Sequence, residues 1–175
     1  QFVYFLNSKI NFKITKLGDI MQHIVIRKEQ FVAGTKHKPE INVFVQTNKI
    51  KNPIDLNKTA IGDTIWMKWS GGPIVAKSRI SEIFHGYVKD GNIAECKSLT
   101  KGTDLYHLNE YWDTLKKKNN FYFCIVKLKD EVWLQNLRYP KEKSTYNSWI
   151  TLDNKEKENL WLDEKNQPNI TASSR

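Results

Sequence analysis

Apolar residues recur along the chain at two periods, and the switch between them lays out the elements. His23-Ile24-Val25-Ile26-Arg27 is short and β-rich, and Ile41-Asn42-Val43-Phe44-Val45-Gln46 alternates, so each predicts a strand. Between them Thr35 to Glu40 is a polar loop, with Gly34 and Pro39 beside it, and after the second strand Asn52-Pro53 signals a turn. Ile61-Gly62-Asp63 marks another turn into Thr64-Ile65-Trp66-Met67-Lys68-Trp69. The breaker cluster Ser70-Gly71-Gly72-Pro73 follows, and Ile74 to Phe84 resumes as a long strand. These two runs predict a hairpin with a loop of about four residues.

Gly86 to Gly102 is turn-rich and reads as irregular. The period then changes. Leu105, Leu108, Trp112 and Leu115 make one apolar helical stripe, with Thr103 as N-cap. Asp104 and Lys116-Lys117-Lys118 suit the two ends of the helix dipole, and Asn119-Asn120 ends the run. In Phe121 to Lys129 the residues Tyr122, Cys124, Val126 and Leu128 share one face of a strand, and Phe121, Phe123, Ile125 and Lys127 the other. Tyr146 to Leu152 predicts the last strand, and residues 163–175 a polar tail. Five or six mostly antiparallel strands with one main helix predict an α+β fold, a closed or nearly closed β-barrel with the helix packed on it. Residues 21–162 form a single domain on this reading. Residues 1–20 read as a leader: Gly18-Asp19-Ile20 before Met21 can be encoded by a purine-rich stretch resembling a ribosome-binding site. The alternative for the leader is an N-terminal strand or arm.

Composition narrows the class. The chain has 175 residues, 39% of them hydrophobic and 12% aromatic, enough for a core and too many for disorder. Its net charge of +9 fits a polyanionic partner, RNA or DNA, because phosphates dominate such affinities. A competing source of that charge is the Lys-, Asn- and Ile-rich composition expected of an A/T-rich genome. Cys96 and Cys124 lie too far apart in sequence for a metal knuckle and read as buried thiols of a reducing, cytoplasmic compartment. His23, His37, His85 and His107 show no metal-ligand spacing, so neither metal nor cofactor is expected. No apolar run reaches membrane-spanning length. Gly71-Gly72 fits neither a phosphate loop nor a dinucleotide fingerprint.

The most informative segment runs from Gly62 to Ile80. Ile65, Met67 and Trp69 face one side of their strand, and Thr64, Trp66 and Lys68 the other. The two tryptophans therefore cannot share one core. Ser70 and Gly71 stand beside them, and glycine lets a backbone approach a ligand closely. The next strand brings Lys77 and Arg79 to one face. Aromatic planes beside cations are what stacked bases and phosphates need. Each feature also has an ordinary structural reading, in barrel core, hairpin turn or solvated strand face; the case rests on their coincidence.

This segment resembles the central hairpin of the PUA-like superfamily, above all its ASCH and EVE branches. The carrying residues are the Gly62-Asp63 turn, the Ser70-Gly71 loop and Pro73-Ile74-Val75-Ala76-Lys77-Ser78-Arg79-Ile80. Tyr111-Trp112, Phe121 to Leu128 and Tyr146 to Leu152 continue the resemblance over about Met21 to Leu152. It implies a pseudobarrel that binds RNA or DNA, in a bacterial or phage setting. A modified base would sit in a pocket of Trp66, Trp69, Ser70, Gly71 and Trp149, with phosphates on Lys77, Arg79, Lys116, Lys117 and Lys118. The related YTH readers carry an aromatic-and-Asn pattern before Ser-Gly; here Lys68-Trp69 stands in its place.

Two alternatives stay open. An ASCH-type hydrolase of RNA or acylated nucleosides would use Lys68 or Lys77 with Glu82. The Lys-Thr-x-Glu-x-Arg element of such enzymes does not occur over Arg27 to Thr35. A protein-interaction module would use the same barrel without nucleic acid.

Overall fold

The computed structural model describes residues 20–27, 42–141 and 148–162. The expected leader up to residue 19, the 163–175 tail, the polar loop of 35–40 and the first residues of two predicted strands (Ile41, Tyr146 and Asn147) lie outside the described residues. Among those described there are six strands and four helices. They run in the order β1 (Gln22–Arg27), β2 (Val43–Asn48), β3 (Thr64–Trp69), β4 (Ile74–Val88), α1 (Ala94–Ser98), α2 (Asp104–His107), α3 (Asn109–Lys116), β5 (Phe121–Arg138), β6 (Trp149–Leu152) and α4 (Lys155–Leu162). The fold is mixed α+β, as the pattern predicts.

The strands form one sheet in the order β2-β5-β4-β3-β1-β6, parallel only at β1–β3. The sheet curls into a half-barrel. Its inner face carries one core, with Val25, Phe44, Ile65, Met67, Ala76, Ile80, Cys124 and Val126 contributed by five strands. The outer face carries two smaller cores. One lies under α1–α3 on Val43, Trp112, Leu115, Phe121 and Phe123. The other lies under α4 on Ile24, Trp66, Ile74 and Trp161. The period-two reading of Phe121 to Leu128 therefore holds, since Cys124, Val126 and Leu128 face inward and Phe121, Phe123 and Ile125 outward.

The edge strands β2 and β6 are joined by side chains. Ser148 Oγ donates to Gln46 Oε1 at 2.8 Å, and the Arg27 guanidinium of β1 donates to the Val43 carbonyl of β2. Among the described residues no backbone pairing joins β2 to β6, and these bonds span the gap.

Four expectations are corrected. The single helix after Thr103 is two helices, α2 and α3, broken at Leu108 with φ −82° and ψ 77°. Leu105's carbonyl accepts from Leu108 N at 3.2 Å and from the buried Trp112 Nε1 at 2.8 Å, so it does not continue the helical ladder. Leu108 consequently leaves the apolar stripe and is exposed. Thr103 occupies the N-cap position but makes no capping bond; its hydroxyl donates to Thr100 O at 2.7 Å. Gly86 to Gly102 is not uniformly irregular: β4 runs to Val88, and α1 follows a turn in which Asp90 and Gly91 have positive φ. β5 does not stop at Lys129. Asp130 has φ 55°, the pairing with β4 shifts between Lys77 and Arg79, and the strand resumes to Arg138.

The predicted four-residue hairpin loop, Ser70 to Pro73, is present, closed by Trp69 N to Pro73 O at 3.0 Å. Gly71 has φ 75°, a conformation that favours glycine. No helix among the described residues is long and apolar enough to cross a membrane.

Candidate nucleic-acid interface

Cross-strand register fixes what surrounds Trp66. It lies opposite Lys77 on β4, and Thr64 lies opposite Arg79, so both cations share the outer face with the indole. On β5, Lys129 pairs with Arg79 and extends the row. Arg138 comes back over the ring from the far end of β5, its Cζ 4.9 Å from the Trp66 centroid, and Lys77 Nζ is 5.9 Å away. Trp66 Nε1 donates to Gln22 Oε1 at 2.8 Å, and Gln22 in turn donates to Glu158 of α4. A groove of about 350 Å³ runs between sheet and helix, lined by Gln22, Trp66, Arg138, Lys155, Glu158 and Leu162 among others. Trp66 is only 8% exposed, so its ring orders cations and does not present a bare stacking face.

Helix α4, absent from the sequence-based prediction, builds one wall of this groove. Asn154 Oδ1 accepts from Lys157 N at 2.9 Å, an N-cap bond. Asp153 takes bonds from Lys157 at 2.6 Å and Lys58 at 2.8 Å, which hold its carboxyl well below the usual carboxylate range. Trp161 anchors the helix in the outer core.

The inner face has a different constellation. Trp69 and Trp149 are half-buried against the inner core, as is Trp133, which the sequence reading missed. Arg27 lies opposite Trp69 in register, with its Cζ 3.8 Å from the centroid of Phe44. Burial, the largest influence, brings this guanidinium from well above down to about 10, opposed by the charges of Tyr111 and Glu131. Trp149 packs at a 40° tilt on the fully buried His23, ring centroids 5.1 Å apart, and its own Nε1 is buried with no hydrogen-bond partner. His23 bridges Thr151 Oγ1 and Asp63 Oδ2, both at 3.1 Å. With Asp63 accepting, Nε2 carries a proton.

The three indoles expected to form one pocket are thus divided. Trp66 belongs to the outer face, Trp69 and Trp149 to the inner face. Alternation dictates this, because positions 66 and 69 are an odd number of residues apart on one strand. Ser70 and Gly71 are exposed at the hairpin tip, and Ser70 N donates to Arg27 O at 2.6 Å.

Lys68, Lys77 and Glu82 are not gathered into one cleft. Lys68 is buried with its amine on Trp69 O at 3.0 Å, and burial lowers its pKa. Glu82 pairs with Lys127 at 3.4 Å. It lies five residues along β4 from Lys77, on the order of 17 Å at strand rise. Lys116, Lys117 and Lys118 are exposed at the end of α3, near the start of β5 and away from the Lys77–Arg79 row. Lys118 Nζ donates to Thr47 Oγ1 at 2.9 Å.

Both cysteines are buried, Cys96 under the helices and Cys124 in the inner core. Burial pushes each thiol up to about 12, with Glu95 adding to the effect at Cys96. Thiolate is the reactive form. The folded protein is therefore expected to consume no thiol reagent at about pH 8, and the denatured chain both equivalents; absorbance of the released chromophore measures this.

No family model matches the chain, and no curated protein or solved structure matches it. The molecule is defined by its own geometry as a curled six-stranded half-barrel with helices on its outer face.

Proposed function

We propose that this chain is a nucleic-acid-binding domain of the PUA-like kind. The carrying observation is the outer face, where Lys77, Arg79, Lys129 and Arg138 stand on two adjacent strands around Trp66 and beside a groove. The chain's net charge of +9 supports the same reading. Phosphates lie along that row. A base is read at the inner face, where Trp69 adjoins the Ser70-Gly71 tip and Trp149 packs on the same inner core with its buried Nε1 unpaired. Pairing an orphaned buried N–H with a base acceptor removes a penalty of about 1–3 kcal/mol. The hydrolase reading gains no support from the separated Lys77 and Glu82.

Fluorescence anisotropy with labelled RNA and DNA at two salt concentrations tests the proposal. Each phosphate contact contributes roughly 0.7–0.9 to the slope of log affinity against log salt. Lys77→Ala and Arg79→Ala should each reduce the slope by about that amount and weaken all sequences alike. No measurable binding of either nucleic acid at low salt would overturn the reading, and would leave the protein-interaction alternative.

A further inference from the structure

The cation row on the outer face ends against a wall. From Lys129 on β5 it passes to Arg79 and Lys77 on β4 and reaches Trp66 on β3. Beyond β3 the outer face is covered, because α4 packs its Trp161 with Ile24 of β1 and Leu152 of β6. A strand whose phosphates follow the row has no bare sheet beyond β3 to follow. It meets the groove of about 350 Å³ between the sheet and α4. That volume falls in the range of small-ligand sites, about 300–1,000 Å³.

The groove is charged for an anion. Lys77 Nζ and Arg138 Cζ lie 5.9 and 4.9 Å from the Trp66 centroid, and both arrive from the β4 side of β3. Lys155 lines the facing wall on α4. Among the described lining residues the one acid is Glu158, which already takes Lys155 at 2.7 Å and the Gln22 amide. Lys77 makes no ion pair among the described residues. Trp66, 8% exposed, is a floor that orders these cations and not a plane for a base, so the groove reads charge. An internal phosphodiester brings one negative charge. A terminal phosphate monoester brings about 1.5–2 near neutral pH. Two cations gathered on one ring match the terminal group better.

We infer that the groove between the sheet and α4 seats the terminal phosphate of a nucleic-acid strand, on Arg138 and Lys77 with Lys155 at the rim. This deepens the function proposed above and rests on it: it names a phosphorylated strand end as the feature recognised, and it gives the cation row a direction.

The test is anisotropy with one internally labelled oligonucleotide of about 12 nucleotides, prepared hydroxyl-ended, 5′-phosphorylated, 3′-phosphorylated and circular. A phosphate at one end is expected to tighten binding about tenfold over the hydroxyl-ended and circular strands. Arg138→Gln should bring that ratio to about one, and Arg138→Lys should keep most of it, since the charge remains. Lys77→Gln, on an exposed strand position that the fold does not need, should lower the ratio too. Equal affinity for phosphorylated and hydroxyl-ended strands overturns the end seat. So does an end preference that Arg138→Gln and Lys77→Gln leave intact. Displacement of the phosphorylated strand by an equal concentration of a nucleoside monophosphate overturns it as well, and makes the groove a mononucleotide site. If no form of the strand binds at low salt, the proposed function itself has failed; if all forms bind alike, the end seat alone has.

Discussion

Replacing Asp63 with alanine is expected to cost about 3–5 kcal/mol of folding stability. The Asp63 carboxylate is 4% exposed as a residue and takes three hydrogen bonds. Met21 N reaches Oδ1 at 3.0 Å; Ala60 N and His23 Nε2 reach Oδ2 at 2.7 and 3.1 Å. Alanine leaves all three donors without their acceptor, the His23 one fully buried and the other two partly, and each buried orphan costs about 1–3 kcal/mol. The damage spreads because these bonds tie the turn before β3 to β1, and His23 carries the link to Thr151 on β6. Asp63→Asn keeps one carbonyl oxygen and should fall between. Urea denaturation followed by tryptophan fluorescence reads the midpoint. A loss below about 1 kcal/mol would mean that water replaces the carboxylate and that the network is not a structural tie.

The fold was legible where β-rich runs met clear breakers. Thr64 to Trp69 and Ile74 onward are β-rich, and Ser70 to Pro73 contains the residues a four-residue hairpin needs, so both strands and the loop are found, with β4 running on to Val88. Legibility failed where tertiary contacts override local pattern. Leu108 has the spacing of a helical core position, yet the Trp112 indole takes the Leu105 carbonyl and the helix breaks beside it. Asp130 and Glu131 read as the end of a strand, yet a bulge at a positive-φ aspartate lets β5 continue to Arg138. Helix α4 had a readable start, Asn154 followed by Glu156 and Glu158, but too short a span to show a period.

The site was legible in part for the same reason. Adjacent alternating strands put Lys77 and Arg79 on the Trp66 face, which depends only on parity and register. Arg138 and Lys129 join them through the shifted pairing of β4 with β5, which no local pattern encodes. The separation of Trp66 from Trp69 was written in their odd spacing, and a pocket uniting them with Trp149 contradicts it. Arg27 looked like the last polar residue of a strand; only the closing of β2 onto β1 reveals a half-buried cation.

That cation leads to the second large effect: Arg27→Met is expected to raise folding stability by about 1–3 kcal/mol, the order of the desolvation that depresses its pKa. Burying a guanidinium removes it from water, and among the described residues its one hydrogen-bond acceptor is the Val43 carbonyl. Methionine has similar length, packs on Phe44 equally well and carries no charge to desolvate. The pH dependence follows from the depressed pKa. Burial disfavours the charged form, so the penalty is fully present below about 10, and it fades as pH rises past that value toward the ordinary range. The advantage of Arg27→Met should therefore be constant between neutrality and about pH 9 and shrink above about pH 10. Denaturation midpoints across that range measure it. A destabilised variant would show instead that the Val43 bond and the Phe44 contact outweigh desolvation. If the variant is more stable and also binds RNA or DNA more weakly, Arg27 is retained at a cost to the fold because the inner-face site uses its charge.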